Sequence, residues 1–177
     1  MKNTLCSLLA LLAVTLVGCQ AIGRQVTSKQ LEATLRQKES DAMSMQKTYQ
    51  FLKEAGTYYI ATVDGDQPRV RPFGTIHIFE GRLYIQTGRV KNVAKQLMAN
   101  GKVELCAMRG KSEWIRVSGV LVEDPRREAK ASMLNEYESL KSMYSADDDN
   151  TMVLYFQPGT VTATIYSFEH APEEMDF

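Results

Sequence analysis

Short runs of β-branched and aromatic residues recur along this chain, and most are separated by two or three residues with turn chemistry. TYYIATV is followed by Asp64-Gly65, RVRPFGTIHIF by Glu80-Gly81, and TMVLYFQ by Pro158-Gly159. Asp-Gly between such runs is a strong hairpin signal. KVELCAM and EWIRVSGVLVE form a further pair over the loop 109–112. Connections this short join only antiparallel neighbours. A sheet of about seven antiparallel strands escapes exposed edges by closing into a barrel. The expected fold is therefore α+β, an antiparallel barrel with flanking helices. Pro72 falls inside the long second run and demands an edge, bulge or bend there.

Three helical segments interrupt this pattern. In MSMQKTYQFLKEAG, residues 43–56, Met45, Tyr49 and Leu52 share a face, and Gly56 suits the stop. VKNVAKQLMANG reads as a short helix closed by Asn100-Gly101, and DPRREAKASMLNEYESLKSMY as one charged helix with Asp124 as N-cap and Pro125 in its first turn. The acidic SADDDN reads as a solvated loop, and the tail EHAPEEMDF as frayed.

The start of the chain has a different character. After Lys2, the stretch from Leu5 to Val17 is apolar apart from Ser7 and Thr15, too short to span a bilayer comfortably and suited to a secretory signal. It ends in LVGC, Leu16–Cys19, which resembles the bacterial lipobox. That resemblance implies cleavage after residue 18, lipidation of Cys19, and a location at the cell envelope; Gln20 points to the outer membrane if the host is Gram-negative. Residues 19–42 then read as a lipid-anchored tether of partial helicity, because Leu31 and Leu35 make only a thin apolar stripe, and 43–177 as the folded domain. Lys+Arg and Asp+Glu each number 21, so bulk charge excludes a polyanion-binding protein. Cys6 leaves with the signal and Cys19 takes lipid, so Cys106 has no disulfide partner and is expected as a small core residue.

Positive charge does collect at one place. RVRPFGTIHIFEGRLYIQTGRVKNVAKQL, residues 69–97, carries four arginines and two lysines around a strand–loop–helix junction. Arg69 and Arg71 share a strand face. Thr87 ends the next strand, Gly88 frees the backbone, and Lys91 and Asn92 open a helix. A helix N-terminus presents unpaired N–H groups and partial positive charge. With Lys91, the Thr87 hydroxyl and Arg71 added, the junction is a candidate phosphate site.

YYIATVDGDQPRVRPFG, LYIQTGRVKNVAKQL and EWIRVSG together resemble the pyridoxamine 5′-phosphate oxidase-like, FMN-binding split-barrel proteins, over residues 51–168. The resemblance implies a six- or seven-stranded antiparallel split β-barrel with flanking helices, a homodimer, and FMN in a cleft at the dimer interface. It implies cofactor contacts from Arg69, Arg71, Pro72, Phe73, Gln86, Thr87, Lys91, Asn92, Gln96, Trp114 and Arg116, with Arg71 on the FMN phosphate. An oxidoreductase of unspecified substrate follows. Tyr58, Tyr59, Phe73, Tyr84 and Trp114 are candidates for the apolar slot a flavin ring needs. Ile76 stands where the oxidases proper have lysine, Lys91-Asn92 replaces their Arg-Lys pair, and their Arg- and His-rich C-terminal segment is missing. Oxidation of pyridoxamine phosphate is therefore not the expected reaction.

Two other readings remain at this level. One is haem binding, which needs an axial ligand, and only His77 and His170 are available. The other is a non-catalytic ligand-binding module anchored at the membrane. The chain has no Cys-x-x-Cys pair, His-Glu-x-x-His or P-loop.

Overall fold

The structure, a computed structural model, describes residues 27–177. The expected signal segment 1–18 and the lipidation site Cys19 lie outside the described residues. The chain begins with helix α1 (Ser28–Ala55), capped by a Thr27–Gln30 capping box and stopped at Gly56 in a positive-φ conformation. The helix runs through residues 42 and 43 without a break and so takes in most of the expected tether. Its first half is solvent-exposed, and only from Met45 onward does it bury a face, through Met45, Thr48, Phe51 and Leu52. Burying Phe51 and Leu52 contributes about 1.5–3 kcal/mol each.

Strands β1 (Tyr58–Asp64), β2 (Gln67–Phe73), β3 (His77–Phe79) and β4 (Arg82–Gly88) follow, then helix α2 (Asn92–Ala99). Strands β5 (Lys102–Arg109) and β6 (Glu113–Asp124) lead to helix α3 (Arg127–Glu136) and a 3₁₀ turn, Glu138–Ser142. Strands β7 (Thr151–Phe156), β8 (Thr162–Ser167) and β9 (Glu173–Asp176) end the chain. All pairings are antiparallel, in the order β2-β1-β5-β6-β7-β4-β3, with β8 joined to β6 and β9 to β8. This is the expected α+β architecture with two strands more than expected.

The first extra strand comes from a break. The long run 69–79 is not one strand: β2 pairs with β1, β3 pairs with β4, and Gly74–Ile76 crosses between them. Pro72 near the end of β2 accords with the bend its sequence position demanded. The path thus ends at β2 on one side and β3 on the other, and these two are not paired to each other. That seam is where the barrel is split.

The second extra strand is the tail. It is not frayed: β9 pairs with β8, Met175 and Phe177 are buried, and Phe177 exchanges two backbone hydrogen bonds with Val161. The β6 strand joins the two halves of the sheet. Residues Glu113–Ser118 pair with β8, and Leu121–Asp124 pair with β7. At the changeover sits Gly119, where a Cβ would lie 2.8 Å from the Phe156 ring.

Two further expectations are corrected. The charged segment 124–144 is not one helix: Asp124 ends β6, the N-cap is Arg126, and α3 stops at Glu136. Asp124 is buried and accepts from the Arg126 backbone and guanidinium and from the Tyr84 hydroxyl, which takes it out of a capping role. Cys106 is exposed rather than core, because Val103, Leu105 and Ala107 take the inward positions of β5 and Cys106 alternates outward.

Candidate cofactor cleft

A cleft of about 280 Å³ opens at the seam between β2 and β3. It is lined by Arg71–Thr75 from the end of β2 and the crossing, Gln86 and Thr87 from β4, Lys91 and Val93 at the start of α2, and Leu140, Met143 and Tyr144 from the segment after α3. The crossing segment is clamped from behind. The Tyr58 hydroxyl donates to Thr75 O at 2.7 Å, Tyr137 bonds both backbone groups of Ile76 at 2.9 Å, and Gln86 N donates to Thr75 Oγ1 at 3.0 Å.

Arg71 is the central cation. Its guanidinium donates to Thr62 Oγ1 at 2.6 Å, Gln96 Oε1 at 2.8 Å and Ile60 O at 3.2 Å. All three acceptors are neutral, and among the described residues no carboxylate forms an ion pair with Arg71 or Lys91. Burial, and after it the neighbouring Arg69 charge, lowers the Arg71 pKa from its ordinary value. An arginine remains protonated through such a shift, so the half-buried charge is uncompensated.

The β4 residues of the cleft carry a second unbalanced feature. Gln86 is 5% exposed and Thr87 3% exposed, yet Gln86 Nε2, Gln86 Oε1 and Thr87 Oγ1 have no hydrogen-bond partner. Leaving buried polar groups unpaired costs about 1–3 kcal/mol each. A ligand with both donors and acceptors relieves that cost.

The structure brings together Arg71, Pro72, Phe73, Gln86, Thr87 and Lys91 in the cleft, with Gln96 holding Arg71 from beneath. It does not bring the other candidates there. Arg69 is exposed and paired with Asp64, and Asn92 lies in a neighbouring hollow with Asp64 and Lys95. Trp114 stacks on Tyr166 with centroids 5.2 Å apart, and Arg116 pairs with Glu104 at 2.8 Å, both away from the cleft of the same chain. Of the proposed aromatic slot only Phe73 lines the cleft; Tyr58 and Tyr84 are buried in the fold and Tyr59 is exposed on the outside. Sequence reasoning missed Thr62, Thr75, Leu140, Met143 and Tyr144. Thr62 was detectable as the inward-facing polar residue of an otherwise apolar β1 face; Thr75 depends on the break between β2 and β3, and Leu140, Met143 and Tyr144 on the chain break after α3.

The sequence pattern of the pyridoxamine 5′-phosphate oxidase family matches residues 44–164. The chain belongs to that family. A NimC/NimA family protein from Clostridium acetobutylicum is 43% identical, with 79% of this chain and 96% of that chain aligned at a TM-score of 0.75. General stress protein 26 from Bacillus anthracis is 20% identical over 77% of this chain and 98% of its own, at a TM-score of 0.56. The haem storage protein HutZ from Vibrio cholerae is 16% identical over 71% of this chain and 97% of its own, also at 0.56. At those identities the last two likenesses are ones of fold. No curated protein matches the sequence. Within this oxidase-family fold neither histidine lines the cleft. His77 is half-buried, with Nε2 2.8 Å from Ser132 Oγ, and His170 is exposed.

Proposed function

We propose that the cleft binds FMN and that the protein is an FMN-dependent oxidoreductase acting on an unidentified small molecule. One observation carries this reading: the half-buried Arg71 charge, balanced by no carboxylate, lines the same cleft as a Gln86 side chain unpartnered at both polar ends. A terminal phosphate answers the first, and the hydroxyl and carbonyl groups of a ribityl-flavin answer the second. Phe73, Val93, Leu140 and Met143 supply apolar surface for a ring. When bound, FMN supplies the redox chemistry. Arg71, Lys91 and Thr87 would hold the phosphate; Gln86 would orient the polar edge; Gln96 and Thr62 keep the guanidinium aimed. Haem has less support, because no imidazole faces the cleft to act as axial ligand. A visible spectrum and bound-cofactor mass of the purified protein test the reading. A colourless, folded protein that does not take up micromolar FMN overturns it.

The same proposal includes a homodimer. The outward face of β1, β2, β5 and β6 carries Tyr59, Val70, Cys106 and Met108 exposed, beside Trp114. Contiguous apolar surface of this kind marks an association face. The cleft, at about 280 Å³, sits below the usual range for a drug-sized ligand, about 300–1,000 Å³. A second copy would add a wall and bring Trp114 and Arg116 toward it. Light scattering tests this, with a concentration-independent monomer as the contrary result.

The final part of the proposal is attachment to the cell envelope through lipid on Cys19, which rests on the LVGC segment alone. Among the described residues no helix is long and apolar enough to cross a membrane. Loss of membrane association and of fatty-acid label in Cys19→Ala is the expected outcome; unchanged fractionation refutes it.

A further inference from the structure

Leu140, Met143 and Tyr144 reach the cleft through a break the sequence pattern does not announce. After α3 the chain turns at Tyr137, whose φ of −126° and ψ of 71° are not helical, and enters the 3₁₀ turn Glu138–Ser142. The turn is fixed at its start, where the Tyr137 hydroxyl is bonded to both backbone groups of Ile76 and accepts from Lys53 Nζ at 3.2 Å. It is fixed at its end, where Tyr144 N donates to Leu140 O at 2.9 Å and Asp148 accepts from Ser145 N at 2.8 Å. Between these points the segment lays Leu140, Met143 and Tyr144 along the cleft.

Tyr144 lands on the basic corner itself. A Cβ at Gly88 would stand 3.1 Å from the Tyr144 hydroxyl oxygen and 3.3 Å from its Cε1. Gly88 therefore lets the phenol rest directly on the backbone that leads into α2. The Lys91 ammonium lies 5.9 Å from the centre of the same ring, within cation–π range. The phenol thus shares the corner with Lys91 and lines the same cleft as Thr87, whose hydroxyl is unpartnered, and Arg71. Tyrosine brings a rigid O–H donor with few rotamers to freeze, and a donor to an ionised oxygen is about twice as strong as one to a neutral acceptor.

We propose that Tyr144 is a phosphate-binding residue of this cleft, donating its hydroxyl to the terminal phosphomonoester of the ligand while its ring supports Lys91. This rests on the FMN reading given above and assigns a residue that reading does not use. The hydroxyl discriminates between flavins that carry the phosphate and those that lack it. The ring, by contrast, is a wall for either.

The test is a fluorescence titration of wild type and Tyr144→Phe with FMN and with riboflavin, alongside circular dichroism. Phenylalanine keeps the wall and removes only the donor. The expected result is FMN affinity weaker by about tenfold or more, as for a lost hydrogen bond to a charged group, with riboflavin affinity and the spectrum unchanged. Equal weakening for both flavins, or no change for FMN, overturns the assignment while leaving FMN binding in place. A wild type that binds neither flavin removes the FMN reading and this assignment together.

Discussion

Arg71 of β2 and Gln96 of α2 are joined at 2.8 Å, and the same Gln96 Oε1 accepts from Thr62 Oγ1 at 2.7 Å. The guanidinium is thus aimed by a carboxamide and a hydroxyl that leave its charge intact. Arg71→Ala keeps the Thr62–Gln96 hydrogen bond, so the fold should persist. FMN affinity should fall about 10- to 150-fold, the loss of about 1.5–3 kcal/mol for hydrogen bonds to a charged group. Titration with circular dichroism as a control checks both halves; retained affinity counts against the corner.

Gln96→Ala removes the aim but not the charge. Arg71 would keep Thr62 and Ile60 O as acceptors. The expected loss of FMN affinity is smaller than in Arg71→Ala, and its salt dependence should survive, because screening acts on the remaining cation. A titration at two ionic strengths separates these variants: Arg71→Ala flattens the dependence and Gln96→Ala does not.

Much of this site was legible because strand alternation and helix-start chemistry are local. Thr87 and Lys91 follow from the end of one strand and the opening of one helix, whereas Gln86 came only with the family resemblance. The cleft residues after α3 were not legible. The residues of 127–144 keep helix-forming character past Glu136, and what ends α3 is the long-range bonding of Tyr137 to Ile76. Cys106 was legible and misread: Glu104 at the same strand parity already marked that face as outward. In the tail, period-two burial of Met175 and Phe177 was hidden by the surrounding acidic residues. Trp114 and Arg116 would reach a cleft only in the proposed homodimer, and no single-chain pattern encodes that.

Gly101→Ala should destabilise the protein without touching the cleft. Its Cβ would stand 2.5 Å from the backbone oxygen of Leu121, which cannot swing away as a side chain would. Overpacking of this kind costs about 1–3 kcal/mol. A lower urea midpoint with unchanged FMN affinity is the expected result.

Acid should weaken the fold partly through His77. Burial lowers its pKa below 6.5, and the Lys53 charge adds to that, while Glu136 opposes. The folded state therefore binds the proton less readily than the unfolded chain. Stability from this group is intact above 6.5 and is lost as pH falls through 6.5 toward the lower folded value. Denaturation of His77→Gln between pH 7.5 and 5 should show a shallower decline than wild type; parallel curves would refute the assignment.

Deleting Glu173–Phe177 removes β9 and uncovers the sheet beneath it. Burial of Met175 and Phe177 contributes about 1.5–3 kcal/mol each. The truncated chain should melt well below wild type, and an unshifted transition would show that β9 is dispensable.

Helix α1 has one last consequence. Its exposed first turns, residues 28–37, precede the family-matched residues and are continuous with the turns packed on the barrel. At 1.5 Å per residue those turns extend about 15 Å. They form a mast, not a leash: Ser28 is held at a set distance and bearing from the cleft, and a glycine hinge cut into the mast would turn a fixed orientation into a free one.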